Sequence, residues 1–346
     1  MLLRLLLLCL LAASPLATAQ APVAKRQPIL DMHLHVLAPD AQGPPPLAMC
    51  TPIAEFPAWD PGQGAYADVF MGLFKRPACK DPVWSPETVD EMRRRTLAEL
   101  EKHDVIGVLS GDSDQDIATW RKAAPDRILP GLGDGIDILH VDAAAVARAK
   151  AMKDRGDLVV LAEIAPQYQG IAPTDPRLEP FWQMAEDLDL PVGIHIGTGP
   201  PGTPYLAPPL KDYRARLHSA LVIEEVLAKH PKLRVYLMHA GYPMIDDLLA
   251  VLYTHPQVYV DVGVIVYTQP RPAFYRYLQA IVDAGFGKRV MFGSDNMVWP
   301  ETIGRSIEVI RQAPFLSEQQ KRDILYDNAA RFLRLDQATI ERHHGL

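Results

Sequence analysis

Residues that can bind a metal ion occupy every second position of a short hydrophobic run near the beginning of the chain. The run 29–36 carries Asp31, His33 and His35, separated by single apolar residues. Alternate side chains of a β-strand face the same side, so the three polar groups would share one face. Two histidines at this spacing more often belong to a partly buried, hydrogen-bonded strand. A metal site therefore requires further ligands at the same level of the fold.

Residues of the same chemical types stand where later apolar runs end. Glu163, His195, His239 and Asp295 each close or follow a run that we predict as a strand. In a barrel of parallel strands, the carboxyl ends of all strands meet at one rim, where the active site lies. Imidazoles and carboxylates are the ligands that zinc takes from proteins. The sequence predicts one shared metal site with these candidate ligands: His33, His35, Glu163, His195, His239 and Asp295.

The elements that must position these residues alternate between apolar strands and helices. Eight strand-then-helix units follow from residue 29, and eight is the number that closes a parallel barrel. We therefore predict an α/β fold, a (β/α)8 TIM barrel with a long insertion after its first strand. The predicted strands span 29–36, 105–109, 127–132, 158–164, 192–196, 233–239, 257–262 and 289–292. The predicted helices span 85–103, 112–124, 141–155, 175–188, 219–229, 244–253, 272–284, 301–312 and a closing 317–335.

Two of these helices have clear start signals. The first begins at Ser85-Pro86, an N-cap followed by proline at the first helical position. The closing helix begins with Ser317 and Gln320, which form the pattern of a capping box.

The insertion, residues 37–85, is rich in proline and shows little periodicity. Long irregular connections in compact domains are usually functional or disordered, so we predict a lid over the barrel mouth. The insertion contains Cys50 and Cys79. In an oxidising compartment, two cysteines in one loop are expected to pair. Two buried free thiols are the alternative.

The first residues indicate export. Residues 1–19 combine an early Arg4, an apolar run and Ala17-Thr18-Ala19, the pattern of a signal peptide with its cleavage site. We expect a periplasmic or secreted protein whose mature chain, 20–346, forms one domain outside the membrane. The net charge of −7 and the dispersed basic residues argue against nucleic-acid binding. The expected partner is a small-molecule substrate, and a homo-oligomer remains an open alternative.

In its motifs the chain resembles the amidohydrolase superfamily, more closely the related group that includes aromatic-acid decarboxylases and a hydratase. The resemblance extends from Ile29 to about Leu335. Single motifs are weak, but their order on successive strands is specific. The matching motifs are Asp31-x-His33-x-His35, His195, His239-Ala240-Gly241, Gly293-Ser294-Asp295 and Asn328-Ala329-Ala330-Arg331-Phe332.

This resemblance implies roles for the candidate ligands. The histidine pair of the first strand, His195 and Asp295 would hold one metal, while His239 would hold a second metal or act as acid and base. Glu163 resembles the ligand of binuclear, TatD-like hydrolases, where it would bridge two ions. Its alternative role is to accept a hydrogen bond from a neighbouring histidine.

The function predicted from these residues is hydrolysis of an amide, ester, lactone or related bond by a metal-activated water. Zinc is the expected ion, with one or two per chain. Asp295 would take the proton of the water, and His239 would ligate or stabilise the oxyanion. One alternative is nonoxidative decarboxylation or hydration of a carboxylated molecule. A second is a metal-binding barrel without turnover.

Several residues beyond the strand ends are candidates for the pocket. Tyr168 and Tyr242 follow the fourth and sixth strands, and we predict that they contact substrate. Arg214 could bind an anionic substrate group, or belong to a solvated helix start. The glycine run 197–202 spells G-x-G-x-x-G, but its two prolines argue against a dinucleotide site and favour a rigid pocket loop. Asp261 could face inward or form structural hydrogen bonds.

Overall fold

A computed structural model describes residues 26–346, so the predicted signal peptide at 1–19 lies outside the described residues. Eight short parallel strands form the centre of the fold. Their order along the chain follows the predicted units, and each lies within or close to its predicted range. The strands are β1 (Ile29–Val36), β2 (Val105–Gly111), β3 (Ile128–Pro130), β4 (Leu161–Ile164), β5 (Val192–His195), β6 (Val235–Met238), β7 (Tyr259–Asp261) and β8 (Val290–Met291).

The strands close into a barrel. Ladder hydrogen bonds order them as β1-β2-β3 and as β8-β7-β6-β5-β4. Further backbone hydrogen bonds join these two groups on both sides, among them one from the Met32 N–H to the Phe292 carbonyl (2.9 Å) and one from the Leu132 N–H to the Ala162 carbonyl (3.1 Å). The predicted (β/α)8 TIM barrel is therefore confirmed.

Helices surround the strands and bury their apolar faces. Within residues 26–346, none of them combines the length and the hydrophobicity that crossing a bilayer requires. Ser317 and Gln320 form the predicted capping box at the closing segment. The α-helices span Tyr66–Lys75, Val89–Lys102, Asp114–Ala123, Ala143–Arg155, Glu179–Asp187, Glu224–Lys229, Ile245–Thr254, Ile265–Thr268, Arg271–Ile281, Thr302–Arg311, Glu318–Arg322, Asn328–Phe332 and Gln337–His344.

The first barrel helix starts later than its N-cap signal predicted. The first barrel helix begins at Val89, where the Thr88 hydroxyl caps it by accepting a hydrogen bond from the Glu91 N–H (3.2 Å). The expected cap, Ser85, accepts a hydrogen bond from the Leu47 N–H instead (2.9 Å). Because the Ser85 hydroxyl bonds to Leu47 in the insertion, it does not cap the helix, which starts after Thr88 instead.

The insertion has more secondary structure than its sequence suggested. It contains the helix Tyr66–Lys75 and a two-stranded antiparallel pair, Ala48–Met49 with Val83–Trp84. Cys50 and Cys79 form the expected disulfide. The signal for the helix is Tyr66, Phe70 and Phe74, spaced by four residues so that they share one face.

The insertion packs against loops that follow the carboxyl ends of the strands. The Phe74 ring stacks on Trp299, after β8, with centroids 5.4 Å apart. The Ile53 N–H donates to the Thr268 carbonyl, after β7, at 2.9 Å. The insertion therefore lies on the side of the barrel where the candidate ligands are, while its action as a lid stays a prediction.

Candidate metal centre

All six predicted ligands meet at the carboxyl end of the barrel. His33 and His35 lie on β1, Glu163 on β4 and His195 at the end of β5. His239 directly follows β6, and Asp295 lies four residues after the end of β8. His33, Glu163 and His239 form one group of ligand atoms that lie within 4.8 Å of one another, and His33, His35 and Asp295 form another. The six side chains that the sequence placed at separate strand ends therefore form one cluster.

Glu163 lies between two pairs of histidines. Its Oε1 is 2.7 Å from His195 Nδ1 and 3.3 Å from His239 Nε2. Its Oε2 is 3.4 Å from His33 Nε2 and 3.3 Å from His35 Nε2. Each carboxylate oxygen therefore faces a different pair.

Asp295 completes the cluster next to the β1 histidines. Its Oδ1 lies 3.3 Å from His35 Nε2 and 3.7 Å from His33 Nε2. This oxygen is buried but has no hydrogen-bond partner within the described chain. A buried, unpaired carboxylate oxygen is costly unless a cation or donor reaches it. Together with imidazole nitrogens about 3 Å apart, this oxygen makes a donor set that fits a divalent ion.

Asp261, at the end of β7, orients two of the ligands. Its Oδ2 accepts a hydrogen bond from His33 Nδ1 (3.1 Å), and its Oδ1 accepts from the backbone N–H of His239 (3.0 Å). His239 Nδ1 in turn donates to the Gly263 carbonyl (3.0 Å). Both rings therefore direct Nε2 into the cluster. Sequence reasoning left the role of Asp261 open, and its partners identify it as an orienting carboxylate.

The backbone at two ligands is strained. His239 and Asp295 have φ angles of 63° and 51°, in the left-handed region that non-glycine residues seldom adopt. Each such conformation costs of order 1–3 kcal/mol, and it persists only where the surroundings enforce it. For Asp295, a hydrogen bond from its own N–H to the His33 carbonyl (2.7 Å) supplies part of that restraint.

Histidines and carboxylates in the cluster shift one another's protonation. Burial alone would lower the pKa of His35, but the neighbouring carboxylates of Asp295 and Glu163 raise it to about 9. Burial alone would raise the pKa of Glu163, yet the charge of His33 and the hydrogen bond from His195 hold it well below its ordinary value. Protons and a metal ion would bind to the same nitrogen and oxygen atoms of the cluster. Binding of the ion must therefore release protons, and the affinity for the ion should rise with pH.

The three predicted substrate-binding residues differ in their placement. The Tyr168 hydroxyl is 3.5 Å from His195 Nε2. Tyr242 follows His239 at the rim and packs edge to face against Tyr277. Arg214 is exposed and donates to the backbone carbonyls of Lys211 and Tyr213, outside the cluster.

His218 lies closer to the centre than its sequence context suggested. It is fully buried, its ring stacks on Tyr213, and it meets His195 edge to face with centroids 5.3 Å apart. Burial lowers the pKa of His218 to about 3, so the ring is neutral. His218 follows a loop rich in proline, where apolar residues show no periodic pattern from which its burial could be predicted.

An open cavity of about 540 Å³ reaches the cluster at Glu163. Its wall contains aliphatic side chains from the segments after β3 and β4, among them Ile136, Leu139 and Ile171. Asp112 and Asp137 add two carboxylates. The cavity gives a small molecule access to one side of the centre.

Residues 30–335 match the sequence profile of the amidohydrolase family. The chain therefore belongs to this family of metal-dependent enzymes, which act on small molecules and include hydrolases and decarboxylases. The resemblance seen in the motifs is confirmed. No curated protein sequence matches the chain.

Solved structures with the same fold have both kinds of activity in their names. A probable 2-pyrone-4,6-dicarboxylic acid hydrolase from Acinetobacter baumannii, with citric acid bound, is 14% identical, with 89% of this chain and 99% of that chain covered and a TM-score of 0.58. A 5-carboxyvanillate decarboxylase from Sphingomonas paucimobilis is 15% identical, with 90% and 100% covered and a TM-score of 0.55. A dihydroxybenzoic acid decarboxylase from Polaromonas, with bound manganese, is 14% identical, with 73% and 91% covered and a TM-score of 0.52. At these identities the likeness establishes the fold.

Proposed function

We propose that this protein is a metal-dependent hydrolase that cleaves an ester, lactone, amide or related bond of a small molecule. The observation that carries the proposal is the position of Glu163, whose two oxygens face different histidine pairs. Such a carboxylate suits a centre with two ions, the arrangement that the sequence resemblance associates with hydrolases. His33, His35 and Asp295 would hold one ion, and His195 and His239 the other. Zinc is the ion that we propose, because the set is rich in imidazole.

When bound, a divalent ion polarises a carbonyl or phosphoryl oxygen and acidifies water. Asp295 is placed to accept the proton of the attacking water, since its Oδ1 is buried and unpaired at the centre. The same carboxyl group would then return the proton to the leaving group. His239 is kept in place by the hydrogen bond from its Nδ1 to the Gly263 carbonyl, so its Nε2 points into the centre.

The wall of the cavity favours a substrate that carries no carboxylate of its own. Asp112 and Asp137 line it beside Glu163, and a substrate with its own carboxylate would be repelled there. The fold likeness to decarboxylases keeps nonoxidative decarboxylation as the competing reaction.

The test is a panel of matched compounds offered to the zinc-loaded protein. Lactones, esters and N-acyl compounds are followed by acid release, and hydroxybenzoates by carbon dioxide release. We expect acid release alone. Carbon dioxide release without hydrolysis would establish the competing reaction, and no turnover by a metal-loaded protein would favour a binding role.

Asp295→Asn provides the matched control on that assay. Asparagine keeps a carbonyl oxygen for the ion but has no useful basicity, so we expect the fold and at least one ion to remain while kcat falls by about 10²-fold or more. If the metal-loaded variant turned over substrate at close to the wild-type rate, another residue would have to accept the proton, and His239 would be the next candidate.

We also propose that the protein is exported. The signal-like residues 1–19 and the Cys50–Cys79 disulfide support this location. The mass of the mature protein, expressed in its native host, should correspond to a chain that begins at Gln20; a chain that retains Met1 would contradict export.

A further inference from the structure

The glycine run 197–202, which follows β5, supplies no ligand to the metal centre. Each of its three glycines nevertheless lies against a group from another segment, where a side chain would collide. An added Cβ would lie 3.1 Å from His239 Cβ at Gly197, 2.4 Å from the Tyr168 hydroxyl at Gly199, and 2.1 Å from the Tyr66 ring at Gly202. The run therefore leaves space for aromatic rings at Gly199 and Gly202 and packs closely on His239 at Gly197, and the Tyr168 ring at Gly199 contacts a candidate metal ligand.

Tyr168 touches His195 on the side away from the centre. His195 Nδ1 faces the cluster, 2.7 Å from Glu163 Oε1, whereas its Nε2 lies 3.5 Å from the Tyr168 hydroxyl. The two rings meet edge to face, with centroids 4.9 Å apart. A neutral imidazole carries one proton, and the hydrogen bond of its outer nitrogen decides which nitrogen is free to ligate. If the Tyr168 oxygen accepts the Nε2 proton, Nδ1 is free for the ion.

Two other ligands have the same arrangement. His33 donates from its outer nitrogen to Asp261, and His239 donates from its outer nitrogen to the Gly263 carbonyl. Such partners fix the tautomer and the direction of a ligating ring. Tyr168 stands in the corresponding place for His195.

A hydrogen bond restrains the glycine loop beside Tyr168. The backbone N–H of Gly199 donates to the Tyr213 hydroxyl at 2.6 Å. Tyr213 is itself buried, and its ring stacks on His218 with centroids 4.3 Å apart. Because this hydrogen bond restrains the loop, a side chain at position 199 is expected to displace the Tyr168 ring.

We propose that Gly199 and Tyr168 are positioning residues for the metal centre: the loop at Gly199 sets the Tyr168 phenol, and the phenol sets the tautomer and direction of His195. This inference rests on the metal centre of the proposed function but not on its reaction. On this inference, the glycine run 197–202 has a structural role at the metal centre that is unrelated to dinucleotide binding.

The experiment uses the full mature chain and metal ions, without substrate. The variants are Tyr168→Phe, Gly199→Ala and the combination of both. The control is Gly287→Ala, where an added Cβ would meet Val282 at an ordinary contact distance of 3.6 Å. Zinc affinity is measured by competition with a chelator, and the visible absorption of the cobalt-loaded protein reports on the ligand field around the ion.

We expect Tyr168→Phe to weaken zinc binding by about tenfold, the lower end of what removing such a partner costs, and to shift the cobalt spectrum. Gly199→Ala should do the same, and the double variant should bind no more weakly than the single ones, because both act through one contact. Gly287→Ala should behave as wild type.

Unchanged affinity and spectrum in Tyr168→Phe, or losses that add in the double variant, would overturn the inference. Tyr168→Phe decides alone if Gly199→Ala does not fold. A wild-type protein that binds no ion would refute the proposed function as well, whereas failure to find a hydrolytic substrate would leave the metal-affinity result standing.

Discussion

Glu163 is the residue on which the number of ions depends. A carboxylate that only orients one histidine directs an oxygen at the outer nitrogen of that ring, as Asp261 does with His33 Nδ1. Glu163 instead presents both oxygens to the nitrogens that face the centre, His195 Nδ1 and His239 Nε2 on one side and the β1 histidines on the other. This difference in geometry favours ligation over orientation.

Glu163→Gln should therefore change the metal stoichiometry. We expect the wild type to hold up to two ions per chain and the variant to lose at least one, because an amide cannot bridge two cations as a carboxylate does. Elemental analysis against protein concentration measures both. Glu99→Gln, at a buried glutamate on the helix Val89–Lys102, is the control and should retain the wild-type count. Saturation of the wild type at a single ion would contradict bridging.

Asp261→Asn should weaken ion binding without removing a ligand. One amide cannot both accept two backbone N–H groups at one end and accept the His33 proton at the other, so the imidazole loses its fixed tautomer. We expect a 10- to 100-fold loss of metal affinity in a chelator competition. Asp112→Asn, in the exposed cavity wall, should leave the affinity unchanged. Equal affinities for Asp261→Asn and wild type would remove the orienting role.

Among the elements outside the barrel, the insertion contacts the loop that carries Asp295. Its helix Tyr66–Lys75 stacks Phe74 on Trp299, which follows Asp295 by four residues in the β8 loop. The Trp299 Nε1–H also donates to the Leu47 carbonyl within the insertion (2.9 Å). The loop that carries Asp295 is thus packed between the barrel and the insertion.

Phe74→Ala should reveal this coupling as a loss of stability. Phe74 is buried, and removing a buried phenylalanine side chain typically costs about 3–5 kcal/mol through lost burial and the remaining cavity. The free energy of unfolding in urea measures the loss. Tyr253→Ala, at a side chain that is 85% exposed, should change it by less than about 0.5 kcal/mol. A Phe74→Ala protein as stable as wild type would show that the insertion contributes little to the fold.

At the scale of the molecule, the sequence predicted the structure best where the local pattern of apolar residues and the closure of an eight-stranded barrel both required the same strands. The eight strands and the meeting of six ligands follow from where apolar runs end. The start of the helix at Ser85 was wrong because a distant residue, Leu47, takes the serine hydroxyl. The role of Asp261 could not be derived because its partner His33 lies 228 positions away, and periodicity does not report such pairs.

The opposite end of the barrel holds a stabilising ion pair that is remote from the centre. Asp104, just before β2, accepts hydrogen bonds from Arg26 and from Arg127. Burial alone would raise its pKa, but the two guanidinium groups hold it below the ordinary value of 3.8. A carboxylate with a depressed pKa stabilises the fold above its unfolded pKa, and this contribution is lost as pH falls through the folded value.

Asp104→Asn should therefore destabilise the protein by about 1 kcal/mol at pH 7, with zinc affinity unchanged. Asparagine tolerates the left-handed backbone at this position, where φ is 54°, so the charge is the main change. The difference in unfolding free energy from wild type should shrink below about pH 4. Asp126→Asn, at an exposed aspartate nearby in the chain, is the control. A pH-independent difference would assign the loss to packing rather than charge.

The way in which the insertion joins the barrel has a consequence for how related chains can diverge. Leu47 and Ser85 bond to each other in both directions, N–H to hydroxyl at 2.9 Å and N–H to carbonyl at 2.8 Å, so the two ends of the segment 47–85 lie side by side. Its disulfide and its helix lie wholly between these two residues. The chain between these residues can therefore change in length without moving its two ends, provided that a replacement keeps a packing partner for Trp299 in the loop that carries Asp295. Divergence among related chains is expected inside this segment and should be restricted on the face that meets the β8 loop.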